Sequence, residues 1–215
     1  MGKVFDWIDE RFHVRAPHRR FLQRRIPSGL SYLYCLGGAS FFSYLVLAAT
    51  GMLLSMYYVP SETEAYDSIL RIQREVNLGW FVRAVHKWSA TSLILFILGH
   101  TLRVFYNKAY RAPKELNWIV GCLTMFLAFA SGFTGYLLPW DQKAYWATEV
   151  GTSMVGTIPL IGKYLMIFVR GGLEISQATL VRFYSIHILW LPVGMSTLLW
   201  AHFHMIKRQG IKKSL

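Results

Sequence analysis

Residues 79–105 read GWFVRAVHKWSATSLILFILGHTLRVF, a long apolar stretch that contains two histidines, His86 and His100. About 20 apolar residues in a helix cross the roughly 30 Å hydrocarbon core of a membrane. Three other stretches have similar length and character, so the predicted spans are residues 33–57, 81–102, 118–138 and 183–205. The sequence therefore predicts an all-α membrane protein with four transmembrane helices.

The composition and charge distribution agree with a membrane protein. Charged residues make up 16% of the 215-residue chain, below the quarter that is typical of soluble domains. The net charge is +12, and 15 of the 23 Lys and Arg residues lie in residues 1–33, 103–117 and 207–215. The positive-inside rule places these segments, with both termini, on the cytoplasmic-type side of the membrane, which we call the n-side. This clustering favours membrane orientation over nucleic-acid binding.

The segments outside the spans also have predicted roles. The chain is expected to be one membrane domain over residues 1–215, with a basic n-side segment at 1–32, a helical bundle at 33–206 and a basic tail at 207–215. The sequence begins without a cleavable signal pattern, and residues 4–12 predict an amphipathic helix on the membrane surface. The connection at 139–182 is long enough to predict short helices on the opposite p-side.

Four histidines in two spans form a regular pattern. His86 and His100 are separated by 14 residues, which in a helix is about 40° in direction and about 21 Å in height. His187 and His202 are separated by 15 residues, about 60° and about 22 Å. The topology brings His86 level with His187, and His100 level with His202. Two such pairs predict two b-type haems, each ligated by two histidines. A zinc site fits poorly, because zinc gathers its ligands around a single centre and these imidazoles lie at two levels.

The glycines and basic residues near the histidines have two interpretations each. Gly37 and Gly51 are 14 residues apart, as are Gly121 and Gly135, so glycine could admit flat macrocycles at two depths or serve helix packing. The basic residues near the ends of the second span could pair with haem propionates or extend towards the membrane surface. These residues are Arg83, Lys87 and Arg103.

Several longer motifs resemble the cytochrome b6 family, the N-terminal half of the split cytochrome b in b6f- and bc-type quinol oxidoreductases. They are YCLGG, GWFVRAVHKWSA, HTLRVF, KELNWIVG, FTGYLLPWDQ, ATLVRFYSIH and MIKRQGI, which are distributed along essentially the whole chain. The 15-residue interval and the cysteine before two glycines favour the b6 type over the fused mitochondrial type. The resemblance implies that His86 and His187 ligate the p-side haem, and that His100 and His202 ligate the n-side haem.

The resemblance also implies features that spacing alone does not provide. Cys35 is expected to carry a further, c-type haem through a thioether bond, and Gly135 and Tyr136 are expected to line a quinol pocket. Electrons from quinol oxidised at the p-side would pass through the two b haems and the Cys35-linked haem to quinone at the n-side, coupled to proton translocation. The expected partners are subunit IV, a Rieske iron–sulfur protein, and cytochrome f or a c-type cytochrome. The complex is expected to be dimeric, in a bacterial cytoplasmic or thylakoid membrane.

This sequence departs from the family pattern at several basic positions. Lys87 replaces the usual arginine, and the pair Lys207-Arg208 reverses the usual order, which affects the expected propionate contacts of Lys87 and Lys207. The N-terminal arginines favour a bacterial, menaquinol-using relative. The family's PEWY motif is absent, so the chain is expected to be one subunit of an enzyme. The alternatives are a di-haem anchor of a hydrogenase or formate dehydrogenase, and a transporter with a histidine proton relay.

Overall fold

The computed structural model describes residues 6–7, 10–11 and 32–210, and these residues form helices, turns and loops without a β-strand. Of the predicted surface helix at 4–12, the four described residues are helical and exposed. The rest of that helix and the basic cluster at 15–25 lie outside the described residues. Residues 32–210 belong to one unit, which is described below.

Four apolar helical segments are long enough to cross a membrane, as predicted. A 3₁₀ turn, Tyr32–Cys35, precedes the first of them, and a π-helical turn, Ile186–Trp190, interrupts the last. The α-helices are α1 (Leu36–Ser55), α2 (Ala65–Arg74), α3 (Gly79–Tyr106), α4 (Glu115–Leu137), α5 (Gln142–Gly156), α6 (Gly162–Arg170), α7 (Gln177–Ser185) and α8 (Leu191–Gln209). The spans are α1, α3, α4 and the composite of α7, the π-turn and α8.

The outward faces of the spanning helices are apolar and exposed. Phe42, Leu95, Phe126 and Trp200 each expose more than half of their surface. In water such a surface would be costly, whereas lipid tails solvate it as well as a protein interior does. The described bundle is therefore that of an integral membrane protein.

The fourth span begins earlier than the sequence predicted. Its helix starts at Gln177, six residues before the predicted start at 183. Ser176 and Thr179 form a capping box, in which each side chain bonds to the backbone N–H of the other. This arrangement satisfies N–H groups that a helix start leaves unpaired, and so fixes the first turn.

The connection between α4 and the fourth span contains two short helices, as predicted, and they are held together by a buried arginine. Arg170, at the end of α6, is 3% exposed and bonds to Glu149 at 3.0 Å and to Thr152 at 2.7 Å, both on α5. Thr179 of α7 donates to the Arg170 carbonyl at 2.7 Å. A buried charge is stable only when it is paired and hydrogen-bonded, so this network ties α5, α6 and α7 into one body.

The connection between the first two spans also contains a helix, α2, which the sequence analysis missed. Its buried residues Ala65, Ser68 and Ile72 recur at helical spacing and face the bundle. They join a packed cluster that also contains Tyr58, Leu137, Leu180 and Phe183. Tyr58 donates its hydroxyl to the Leu138 carbonyl at 2.7 Å, and burial raises the pKa of Tyr58, so the phenol remains a donor.

A second cluster lies inside the bundle. Tyr44, Leu93 and Ala128 pack there with Ile97 and Met195. Tyr44 and Ala128 each lie midway between the two predicted glycines of their own helix, seven residues from both. Leu93 lies midway between His86 and His100 in the same way. Tyr44 donates to the Pro192 carbonyl at 2.9 Å and lies 2.7 Å from the Ser196 hydroxyl. This cluster separates two levels of the bundle interior.

Two candidate haem sites

The four histidines meet as the sequence predicted, in two pairs between α3 and the fourth span. The ring centres of His86 and His187 are 6.4 Å apart, and those of His100 and His202 are 6.5 Å apart. The rings of each pair are inclined to one another, by 68° and 79° respectively. We refer to the two arrangements as the 86/187 pair and the 100/202 pair.

The π-turn explains how unequal histidine intervals reach the same levels. The turn contains His187 and is closed by the Leu191 N–H, which bonds to the Ile186 carbonyl five residues earlier. A single π-turn accommodates one extra residue in an otherwise α-helical segment. Pro192 follows at once and lacks an N–H, so the regular ladder cannot continue through it. The 15-residue interval on the fourth span thus acts as the 14-residue interval on α3.

The four predicted glycines each face one of the four histidines. A Cβ atom would lie 3.0 Å from Cε1 of His100 at Gly37, and 3.2 Å from Cε1 of His86 at Gly51. On α4, a Cβ at Gly135 would lie 2.6 Å from Cε1 of His187, and one at Gly121 would lie 3.4 Å from Cε1 of His202. Close approach to an imidazole therefore favours glycine most strictly at Gly135 and least at Gly121, where 3.4 Å is an ordinary contact.

Hydrogen bonds fix the ring nitrogens of the 86/187 pair. The Thr50 hydroxyl donates to the Val46 carbonyl at 2.7 Å, so the same oxygen accepts from Nδ1 of His86 at 2.9 Å. Nδ1 of His187 lies 3.0 Å from the Ser131 carbonyl, which can only accept. Both Nδ1 atoms therefore carry the proton, and both Nε2 lone pairs are available to a metal.

The 100/202 pair has a different environment. A cavity of about 280 Å³ lies beside it, with Tyr34, Arg103 and Asn117 in its lining. Nη2 of Arg103 lies 3.2 Å from Nδ1 of His100, and the guanidinium lies 4.5 Å from the centre of the Tyr34 ring. Nε of Arg103 is buried and has no hydrogen-bond partner among the described residues. A half-buried cation whose spare donor is buried beside a cavity suits an anionic group such as a carboxylate.

These features fit haem better than a bare metal ion. Two metal–nitrogen bonds of about 2 Å, each extended by the ring radius, give about 6 Å between ring centres, close to both observed separations. Among the described residues no group of three or more histidine, cysteine or acidic side chains could hold a metal. Each pair would supply two ligands to a metal, so the remaining coordination positions would belong to a prosthetic group such as haem.

The remaining predicted residues lie at the margins of these sites. Arg83 donates to the Gln73 side chain, and Lys87 and Lys207 are exposed. Cys35 is exposed at the end of the 3₁₀ turn, two residues before Gly37. Tyr136 is 54% exposed and lies on the outer surface of α4.

Sequence reasoning missed the hydroxyl and carbonyl partners of the 86/187 pair. Thr50 directly precedes Gly51, and Thr134 directly precedes Gly135. The repeated Thr-Gly dipeptide was thus a visible sign, whereas Gly37 and Gly121 follow Leu36 and Val120.

Comparisons with known proteins agree with this architecture. The family model described as cytochrome b/b6/petB matches residues 21–210. Proteins named cytochrome b6 are similar over all 215 residues and over their own full length: those of Euglena gracilis (39% identity), Oltmannsiellopsis viridis (40%) and Gracilaria tenuistipitata var. liui (38%).

A solved structure shows the same fold. A chain of a hyperthermophilic respiratory complex III aligns with a TM-score of 0.90 and 31% identity over 97% of this chain. The alignment covers 56% of that longer chain, so the present chain spans about half its length. The full-length family match and the full-length relatives together show that the chain belongs to the cytochrome b/b6/petB family.

Proposed function

We propose that this chain is the haem-binding, electron-conducting subunit of a membrane quinol oxidoreductase of the b6f or bc type. The observation that carries the proposal is the presence of two facing histidine pairs at two levels of one bundle, each approached by glycine backbone. Membership of the cytochrome b family supports haem b binding and a place in a multi-subunit redox complex. Two levels also give electrons a route across the membrane.

His86 and His187 would hold the iron of one haem b, and His100 and His202 the iron of a second. Haem supplies reversible one-electron chemistry when it is bound. The chain contributes axial nitrogens of fixed orientation, and apolar packing that keeps water from the interior of the bundle. The cluster around Tyr44 and Leu93 lies between the two levels and maintains their separation.

Basic side chains would bind the haem propionates with unequal strength. Arg103 has the best support, because its Nε is buried, unpartnered and beside the cavity. Arg83 lies in the second turn of α3 and already donates to the Gln73 side chain, so it would need to exchange partners. Lys87, two turns into α3, and Lys207, near the end of α8, are exposed and would act as flexible point charges.

A third haem, of c type, is proposed at Cys35. The exposed thiol lies at the entrance of α1, and Gly37 one half-turn later contacts His100, which supports a position near the 100/202 pair. We place the 100/202 pair and both termini on the n-side, from the distribution of basic residues. Quinol oxidation would occur at the opposite end, with Gly135 and Tyr136 as candidate lining residues and the body of α5, α6 and α7 beside them.

In this scheme the chain acts with subunit IV, a Rieske iron–sulfur protein and cytochrome f or another c-type cytochrome, in a dimeric complex that translocates protons. The test is to purify the native complex and measure quinol-dependent reduction of a soluble cytochrome c, together with a reduced-minus-oxidised spectrum. Two b-type haems per chain and quinol-dependent activity are expected. A colourless complex would contradict haem binding, and haems without a Rieske partner would favour the hydrogenase-type anchor.

A further inference from the structure

The 86/187 pair is held by a device that occurs once on α1 and once on α4. In each copy, a threonine directly before the histidine-facing glycine directs its hydroxyl at Nδ1 of that histidine. Thr50 Oγ1 lies 2.9 Å from Nδ1 of His86, and Thr134 Oγ1 lies 3.3 Å from Nδ1 of His187. The Ser131 carbonyl, three residues before Thr134, also lies 3.0 Å from Nδ1 of His187.

The direction of these hydrogen bonds follows from the partners of each hydroxyl. Thr134 Oγ1 donates to the Ala130 carbonyl at 2.9 Å, as Thr50 donates to the Val46 carbonyl. A hydroxyl has one proton, so its remaining interaction is as an acceptor. Nδ1 of each histidine must therefore be the donor, and neither ring can rotate without losing that bond.

The 100/202 pair lacks this device. No serine or threonine hydroxyl among the described residues bonds to His100 or His202. Instead, Nδ1 of His100 faces Nη2 of Arg103, which can only donate. Leu36 and Val120 occupy the positions that correspond to Thr50 and Thr134. The Ser40 and Thr124 hydroxyls that line the nearby cavity donate to their own helices.

We infer that Thr50 and Thr134 are positioning residues that make the 86/187 imidazoles stronger electron donors than the 100/202 imidazoles, and so lower the reduction potential at that level. This inference rests on the proposed haem ligation and deepens it. A hydrogen bond from the outer ring nitrogen to an acceptor raises the basicity of the ligating nitrogen. A more basic ligand stabilises the ferric state, which disfavours reduction.

Thr50 carries more of this effect than Thr134. Its oxygen makes the shorter bond, whereas His187 keeps the Ser131 carbonyl at 3.0 Å when Thr134 is lost. Thr50→Val keeps the shape of the side chain and removes the acceptor. Ser43→Ala is the matched control, because Ser43 is a buried hydroxyl on α1 that donates to the Ala39 carbonyl and contacts no histidine.

The test is a redox titration of both b haems in the purified complex, with electron paramagnetic resonance of the ferric haems. Thr50→Val should raise the ferrous-to-ferric ratio of the 86/187 haem at a fixed potential about three- to tenfold, a shift of about 30–60 mV. Thr134→Val should give a smaller shift in the same direction. Thr50→Ser should restore the wild-type potential, and Ser43→Ala should leave both haems unchanged.

The outcomes separate this inference from the proposed function. Unchanged potentials in Thr50→Val, equal shifts of both haems, or failure of Thr50→Ser to restore the potential would each overturn the inference and leave haem ligation intact. Loss of the 86/187 haem in Thr50→Val, with Thr50→Ser normal, would support it, because the hydroxyl would then be needed for ligation itself. A wild-type complex without b haems would overturn the proposed function instead.

Discussion

The 86/187 and 100/202 pairs have almost the same geometry in different surroundings. Their ring separations differ by a tenth of an ångström, and each ring faces a glycine on a neighbouring helix. At the 86/187 end, neutral hydroxyl and carbonyl oxygens accept from the rings, and a packed cluster around Phe183 covers the bundle. At the 100/202 end, a guanidinium approaches the ring beside a cavity.

One part of the architecture is therefore repeated at both levels, and another part is specialised at one level. Ligand placement follows from helix periodicity. Two pairs of helices that pack extensively, α1 with α3 and α4 with α8, maintain this placement at both levels. The electrostatic environment comes from single side chains that occur at one level only. One bundle can thus hold two chemically similar groups and give them different reduction potentials.

Replacing one histidine of either pair is expected to have the largest effect. His187→Leu should remove the 86/187 haem and His202→Leu the 100/202 haem, because one imidazole leaves the iron without its second axial ligand. Haem b content per chain, measured as the pyridine haemochrome, should fall from two to one in each variant. If either substitution removed both haems, the two levels would not be independent and the comparison between them would fail.

The covalent haem proposed at Cys35 should be present at only one end of the bundle, that of the 100/202 pair. After denaturing electrophoresis, haem staining of the wild-type chain is expected, and Cys35→Ser should abolish it while both b haems remain. Cys122→Ser is the control, since Cys122 is the other cysteine of the chain and is half-buried on α4. Staining that persisted in Cys35→Ser would place the attachment elsewhere.

The sequence predicted the repeated part of the site more fully than the specialised part. A 14-residue interval in a straight helix fixes both depth and direction, so His86 and His100 could be placed on α3 from spacing alone. On the fourth span the same reasoning left about 60° between His187 and His202. The π-turn removes part of that difference, and Pro192 was its only local sign.

Residue spacing along one helix could not predict the contacts between helices. Thr50 is 36 residues from His86, so its role depends on how α1 and α3 pack, which periodicity does not determine. The start of the fourth span was visible in principle, because Ser176 and Thr179 have capping-box spacing. The helix α2 was missed because its apolar positions are few and are mixed with charged residues.

Alanine substitution of a glycine that faces a histidine should destabilise the protein more strongly when the added Cβ lies closer to the imidazole. Gly135→Ala places a Cβ 2.6 Å from His187 and should destabilise the protein by about 1–3 kcal/mol, with loss of haem from the 86/187 pair. Gly121→Ala, at 3.4 Å from His202, should be close to neutral. The measurements are haem retention during heating and the thermal midpoint of each haem's absorbance.

Gly132→Ala is the matched control for this ranking. Gly132 lies on α4 one turn before Gly135, and a Cβ there meets no atom within 4 Å. It should therefore retain both haems, with a small gain in helix propensity. Equal losses in Gly132→Ala and Gly135→Ala would show that α4 tolerates no alanine at all, and that the distance to the imidazole is irrelevant.

The smallest expected effect concerns the cation beside the 100/202 pair. A guanidinium near the ring favours the reduced, more negative state of a bound haem, so Arg103→Leu should lower the potential at that level only. We expect about a threefold fall in the ferrous-to-ferric ratio at a fixed potential, because Arg103 is partly exposed and water screens its charge. Arg103→Lys should retain most of the effect of the charge. Arg111→Leu, which removes an exposed cation from the connection after α3, should leave the potential unchanged. A redox titration that resolves the two haems measures all three variants. If Arg103→Leu shifted the 86/187 haem as strongly as the 100/202 haem, the two levels would share one electrostatic environment, and the difference between them could not arise from the side chains that surround each pair.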